Sequence, residues 1–203
     1  MKVKYKNIFL YRLSQVLARA FCLLFGRIQI IGAENVPKEG GVLIASNHLS
    51  NLDPPLIGSS VPRPLHYFAK EELFRVPVIG WWIDQINSFP VKRGEHDIRA
   101  FKMARDLLIE GEGVVLFPEG RRSKTGELGK AKPGVAMLAM KAGVPVVPVC
   151  IVNSHRLLQF EKLKVAFGKP MRPEGGPSYE DFSGEIMAAI AALRSKMYND
   201  GSS

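Results

Sequence analysis

The chain is poor in the residues that build several common kinds of site. Only two cysteines, Cys22 and Cys150, occur in 203 residues, so no disulfide framework is implied and a reducing compartment fits. The four histidines, His48, His66, His96 and His155, are too scattered to form a local metal site. There is no G-x-S-x-G elbow, no phosphate-binding P-loop, no G-x-G-x-x-G and no H-E-x-x-H, which removes the usual support for nucleotide-cofactor and zinc enzymes. Long apolar runs are missing too: the longest near the start covers residues 20–25, far short of the roughly 18–20 that span a bilayer. No small-residue cleavage site follows it, so neither secretion nor membrane crossing is expected.

Acids are absent from the first 33 residues, where Lys2, Lys4, Lys6, Arg12, Arg19 and Arg27 all precede Glu34. Six of the nine net positive charges therefore sit at one end. They are interleaved with Ile8, Phe9, Leu10, Phe21, Leu23, Leu24 and Phe25, a mixture that suits an anionic membrane surface better than a nucleic-acid groove. Residues 5–25 have the helical period, with Leu10, Leu13, Leu17, Phe21 and Leu24 on one face and Arg12, Gln15 and Arg19 opposite. The same pattern also describes a helix packed on a core. The interfacial alternative divides the chain into an amphipathic membrane-associating helix, 1–26, and one globular unit, 27–203, for which the 46% hydrophobic content is ample.

Beyond residue 26, apolar runs at 27–32, 42–46, 65–69, 86–91, 114–117, 145–152 and 164–168 alternate with helical patterns near 54–60, 76–84, 97–110, 133–142 and 179–198. This alternation predicts an α/β fold with a mixed, largely parallel sheet flanked by helices. Asp53-Pro54 reads as a cap followed by a first-turn proline, and Pro133 and Gly143 bracket another helix. Chemistry in such a sheet belongs to the loops at the strands' carboxyl ends, after Ser46, Val91 and Phe117.

Two of those loops are chemically marked. In Asn47-His48-Leu49-Ser50-Asn51-Leu52-Asp53, a five-residue spacing would put His48 and Asp53 about 140° apart on a regular helix, so they meet only across a turn. An aspartate folded back onto His48 fixes the imidazole tautomer and raises its basicity, allowing it to take a proton from a hydroxyl. A plain helix cap beside a loop histidine is the other possibility. Phe117-Pro118-Glu119-Gly120-Arg121-Arg122-Ser123 is followed by Lys124, Lys130 and Lys132, with Glu127 the one acid between residues 121 and 132. This is either an anion site, in which arginine forks grip phosphate and glycine admits the ligand, or a solvated basic loop. Arg93 offers a further guanidinium after the strand ending at Val91. Leu73, Val78, Trp81 and Trp82 either line a hydrocarbon tunnel or pack in the core.

Together the segments resemble the glycerolipid acyltransferases, specifically the bacterial 1-acyl-sn-glycerol-3-phosphate acyltransferases. His48 and Asp53 match the N-H-x-x-x-x-D block, 89–94 (FPVKRG) the second, 117–123 (FPEGRRS) the third and 144–149 (VPVVPV) the fourth. The likeness covers about residues 40–170. One position departs: Arg121 stands where threonine or serine is usual, adding positive charge where the phosphate headgroup is expected.

The resemblance implies transfer of a fatty acyl group from an acyl thioester, acyl-CoA or acyl-ACP, to the sn-2 hydroxyl of lysophosphatidic acid, forming phosphatidic acid. It implies His48 as general base and Asp53 as its orienter. Lys70, Arg93 and Arg122 would hold the glycerol phosphate, Glu119 would orient a hydroxyl or arginine, and Gly120 would permit close approach. No cofactor or metal is expected beyond the thioester co-substrate, and no nucleic acid. The expected partners are the thioester donor, lysophosphatidic acid and an anionic membrane surface, with the protein peripheral or monotopic on the cytoplasmic face. A sister acyltransferase acting on glycerol-3-phosphate, another lysophospholipid or a lyso-aminolipid shares these motifs. A non-enzymatic membrane-binding module would need only the basic helix and loop.

Overall fold

The computed structural model describes residues 6–92, 97–159 and 161–199. Seven strands, β1 (Gln29–Ile31), β2 (Val42–Ser46), β3 (Leu65–Lys70), β4 (Ser88–Val91), β5 (Gly113–Leu116), β6 (Val146–Val152) and β7 (Lys164–Phe167), form one sheet. Their order is β1-β7-β6-β2-β5-β3-β4. Every pairing is parallel except β6 with β7. The helices are α1 (Ile8–Gly26), α2 (Asp53–Ser60), α3 (Glu71–Phe74), α4 (Ile79–Gln85), α5 (Ile98–Ile109), α6 (Gly134–Ala142) and α7 (Tyr179–Asn199). The mixed, largely parallel sheet and all seven expected strands are present.

All residues of β2 and β6 are buried, because unbroken apolar strands need cover on both faces. Alternation along each strand divides the core. Leu43, Ala45, Val114 and Val146 join residues of α5, α6 and α7 on one face, whereas Val42, Ile44, Val115 and Val147 join residues of α1 and α2 on the other. Pro148, which has no amide hydrogen to donate, lies in β6 between the Val146–Met171 bridge and the Val149–Phe167 pair, where the ladder to the next segment is interrupted. Since β2, β5 and β3 are neighbours, the loops leaving Ser46, Leu116 and Lys70 emerge side by side.

Helix α1 is seated by its polar residues. Gln15 Nε2 donates to the carbonyls of Gly58 and Val61 at 2.6 and 3.3 Å, and Arg12 donates to that of Pro62 at 2.7 Å. These oxygens belong to the end of α2 or lie just beyond it, where terminal carbonyls need donors from outside the helix. Tyr11 is buried, with its hydroxyl 3.0 Å from that of Tyr67 and accepting from the Leu65 amide. The side placed opposite the apolar stripe thus has Gln15 turned inward. Leu13, Leu17, Phe21 and Leu24 of the stripe are exposed.

The helix expected at 76–84 starts later. Val76 precedes Pro77, and a residue before proline is pushed out of the helical region; α3 ends before it and α4 begins after it. Between them the Ile79 amide donates to the Pro77 carbonyl at 2.7 Å, closing a γ-turn whose apex, Val78, has φ 67° and ψ −57°. A β-branched residue at positive φ is strained. Val78→Gly is therefore expected to stabilise the protein by about 1 kcal/mol, measured by urea unfolding; an unchanged or lower midpoint would show that the turn carries no such strain.

Candidate active site

The site starts where β2 leaves the sheet. Asn47 extends the ladder with its side chain: Oδ1 accepts from the Ile151 amide at 2.8 Å and Nδ2 donates to the Ile151 carbonyl at 2.9 Å. This fixes the backbone immediately before His48. The chain then turns, and the Asp53 amide donates to the Ser50 carbonyl at 3.2 Å.

Asp53 is wholly buried, and its Oδ2 accepts from the amides of Leu49 and Ser50 at 2.6 and 2.8 Å and meets His48 Nδ1 at 2.7 Å. The cap of α2 is Leu52, with Asp53 the first helical residue and Pro54 the second. The expected cap at Asp53 is thus displaced by one residue, because its carboxylate is spent on the turn behind it. An ionised carboxylate only accepts, so Nδ1 carries the imidazole proton and Nε2 is left with its lone pair. The His48 ring stacks on Phe117, with centroids 3.9 Å apart and an interplanar angle of 15°.

Phe117 begins the second marked loop. Gly120, at φ 69°, donates to the Phe117 carbonyl at 2.9 Å, making a tight turn at a backbone conformation glycine adopts freely. The loop is tied to the first by the Ser123 amide, which donates to the His48 carbonyl at 2.8 Å. Glu119 is buried beneath it; Oε2 accepts from the Gly129 amide at 3.1 Å, and Oε1 has no partner among the described residues. Burial raises the Glu119 pKa above the ordinary carboxyl value, against the opposing pull of the Gly129 and His48 amides.

Two cavities meet at this point. The larger, about 510 Å³, includes His48, Phe117, Gly120 and Lys132 in its lining; the smaller, about 350 Å³, includes His48, Phe117 and Lys70. Of the expected phosphate-binding residues, Lys70 therefore reaches the site from the end of β3. Arg122 is exposed and lines neither cavity, and Arg93 lies outside the described residues. Leu73 lines the smaller cavity, whereas Val78 and Trp81 are exposed and Trp82 is half-buried. Of the two placements open to that group, the core holds none of the four, and a cavity lining holds Leu73 alone of them. Phe117 and Lys132 are further site residues. Phe117 opens its motif, and Lys132 was visible only as one base among several; its Nζ lies 3.1 Å from where a Cβ on Gly120 would sit. Among the described residues, no group of three or more His, Cys, Asp or Glu side chains could hold a metal ion.

A carboxyl whose folded pKa is raised lowers stability once pH passes its unfolded value, and this loss is absent below that value. Glu119→Gln is expected to stabilise the fold at pH 7 by about 1 kcal/mol, the scale of one unsatisfied buried group. The gain should fade as pH drops below the ordinary carboxyl range. Urea unfolding at the two pH values checks this; a variant less stable than the parent at pH 7 would contradict it.

The acyltransferase family profile matches residues 27–152, which include both marked loops. The chain is 31% identical over 166 residues to the 1-acyl-sn-glycerol-3-phosphate acyltransferase of Bacillus subtilis, covering 80% of this chain and 82% of that one. It is 32% identical over 157 residues to the chloroplastic enzyme of that name from Arabidopsis thaliana, covering 76% of this chain. It spans less than half the length of the chloroplast relatives, 44% in that case and 46% for the Brassica napus protein. The crystal structure of the 1-acyl-sn-glycerophosphate (LPA) acyltransferase from Thermotoga maritima superposes with a TM-score of 0.81 at 29% identity, over 93% of this chain and 79% of that one. With the family profile over most of its length and a histidine–aspartate turn at the carboxyl end of its central strand, the chain belongs to the acyltransferase family.

Proposed function

We propose that the protein moves a fatty acyl group from an acyl thioester to the sn-2 hydroxyl of lysophosphatidic acid, forming phosphatidic acid at a membrane surface. The observation that carries this is the 2.7 Å contact between Asp53 and His48 Nδ1, which leaves Nε2 as a base where two cavities meet. The names of the Bacillus and Thermotoga relatives supply the substrate class.

His48 takes the hydroxyl proton as the oxygen attacks the thioester carbonyl. The new C–O bond forms, the C–S bond breaks, and the imidazolium returns its proton to the leaving thiolate. Phe117, stacked on the ring, supports the transient cation. Both cysteines are buried, and burial pushes the thiols up to about 11 at Cys22 and about 12 at Cys150. Neither supplies a thiolate nucleophile, which leaves direct transfer from the thioester to the hydroxyl without a cysteinyl intermediate. We assign Lys70, in the lining of the smaller cavity, to the acceptor phosphate, with the guanidinium groups of Arg93 and Arg122 in the adjoining loops as further candidates; Gly120 leaves room for close approach from the larger cavity, and Glu119 orients a hydroxyl or an arginine.

The acceptor lives in a leaflet, and one side of the molecule is built to meet it. On α1, Phe9, Val16 and Leu24 are 72%, 65% and 75% exposed. Beyond α3, Val76, Val78, Ile79 and Trp81 are also exposed, and Lys6, just before α1, pairs with Asp84 of α4. No described helix is long and apolar enough to cross a membrane. We assign this surface to peripheral binding at the cytoplasmic face, with the bases of the first segment attracting anionic headgroups.

His48→Ala is expected to abolish formation of the acylated product, followed by mass, while thermal unfolding stays close to the parent. Asp53→Asn should lower kcat on the order of 10³-fold or more by releasing the tautomer. Near-normal turnover in either variant would overturn the assignment.

For the membrane surface, the Val16→Glu/Leu24→Glu variant should release the protein from anionic vesicles without changing its unfolding midpoint. High salt alone should weaken binding only in part, since the apolar contribution is not screened. Co-sedimentation of this variant equal to the parent's would remove α1 from the binding surface.

A further inference from the structure

Between β5 and α6 the chain runs from Phe117 to Pro133 with no helix or strand of its own. Such a segment keeps its shape through the contacts made on it from outside, and α7 supplies two of them. Phe182, Ile186, Ile190 and Met197 bury one side of that helix in the core, and Lys164 of β7 donates to the Met197 carbonyl near its end, so α7 is a fixed support. From it the Ser183 hydroxyl donates to the Lys132 carbonyl at 3.4 Å, and Arg194 donates through both terminal nitrogens to the Glu127 carboxylate at 2.9 and 3.1 Å. The Tyr198 ring, one turn further along α7, lies 5.6 Å from the guanidinium and steadies the fork.

The bonding continues inward from Glu127. The Ser123 hydroxyl donates to the Glu127 carbonyl at 2.7 Å, and the Ser123 amide donates to the His48 carbonyl at 2.8 Å. One line of hydrogen bonds thus joins a helix packed on the sheet to the backbone that carries the base. Glu127 is the one acid between residues 121 and 132. The Arg194 fork holds its carboxyl below the ordinary value, by hydrogen bonding first and charge second. Without that fork, the loop's own bases, Arg121, Arg122, Lys124, Lys130 and Lys132, would compete for Glu127, since none of them pairs with a carboxylate among the described residues. Arg194 therefore selects one arrangement of the loop over others that its charges permit.

We propose that Arg194 is a positioning residue for the base: by holding Glu127 on α7 it sets Ser123, and through Ser123 the backbone of His48. The proposal rests on the transfer reaction above, in which a reacting group displaced by about 1 Å loses on the order of 100-fold in rate. The pair is exposed at Glu127, and ion pairs of that kind add little to global stability. Its effect is local: the loop and the base shift while the fold keeps its unfolding midpoint.

The test uses lysophosphatidic acid dispersed in detergent and palmitoyl-CoA, with the product identified by mass, so that vesicle binding does not enter. Arg194→Ala should lower kcat about fivefold or more, the upper end of what an exposed two-pronged pair carries, with both KM values within about twofold of the parent's and the urea midpoint unchanged. Glu127→Gln should lose as much, and Glu127→Gln/Arg194→Ala no more than either alone. Arg194→Lys, which keeps the charge without the fork, should recover part of the loss. Arg194→Glu should be worse than Arg194→Ala, and Glu127→Arg/Arg194→Glu should regain most of what it loses. Hydrogen exchange at the Ser123 amide should quicken about fivefold in Arg194→Ala, a reading that needs no turnover. A parent protein that forms no acylated product refutes the reaction, and exchange at Ser123 then decides the relay by itself. An unchanged kcat, a change confined to KM, losses that multiply in the double variant, a charge swap no better than Arg194→Glu, or unchanged exchange at Ser123 would overturn the proposal while leaving the reaction standing.

Discussion

One carboxylate oxygen organises the site. Asp53 Oδ2 gathers the amides of Leu49 and Ser50 and the ring of His48, and with these contacts it shapes the turn before α2 and sets the tautomer of the ring. Charge-assisted bonds of this kind are strong because they are buried, and for the same reason they are expensive to leave unmade. The aspartate therefore cannot be treated as an accessory to the histidine, since the loop that presents the ring is folded around it. Asn47 completes the support from the other side by bonding both backbone groups of Ile151.

The second constraint is the sheet itself. Its centre is apolar on both faces, so helices must cover both, and its carboxyl edge is left as a ridge between two layers. A base on that ridge faces a cavity in each layer. The buried Glu119, with one oxygen unpartnered, departs from the usual rule that buried polar groups are bonded. That departure lies beside the base, where stability is commonly exchanged for function.

Helix α1 leaves most of its apolar stripe exposed. Tyr11, Gln15 and Arg12 bond to groups of α2 and the start of β3, while Phe9, Val16, Leu17 and Leu24 face outward. Gln15 and Arg12 supply the donors that carbonyls at and just beyond the end of α2 need, Tyr11 and Cys22 are the buried side chains of α1, and much of its apolar stripe is left exposed. The γ-turn before α4 leaves Val78 exposed as well.

Periodicity and punctuation alone disclosed the seven strands, most of the helices and the largely parallel sheet, because each unbroken apolar run needs burial on both faces wherever it lies in the chain. The histidine–aspartate pair was legible as well, since its five-residue spacing beside a proline leaves a turn as the geometry in which the two can meet. Other features depended on which segments became neighbours. The helical pattern over 76–84 ran through Pro77, and the split into α3 and α4 depended on the γ-turn and on Gly80 packing against the Phe74 carbonyl. The inward side of α1 was decided by carbonyls some 45 residues away along the chain. Lys132 was one base in a basic loop until folding set it beside Gly120. The sequence by itself determined the elements and the turn that builds the base, through local sterics and the period of its apolar residues. Tertiary structure decided the two cavities and the outward face of α1, because those depend on distances between groups that no sequence interval specifies.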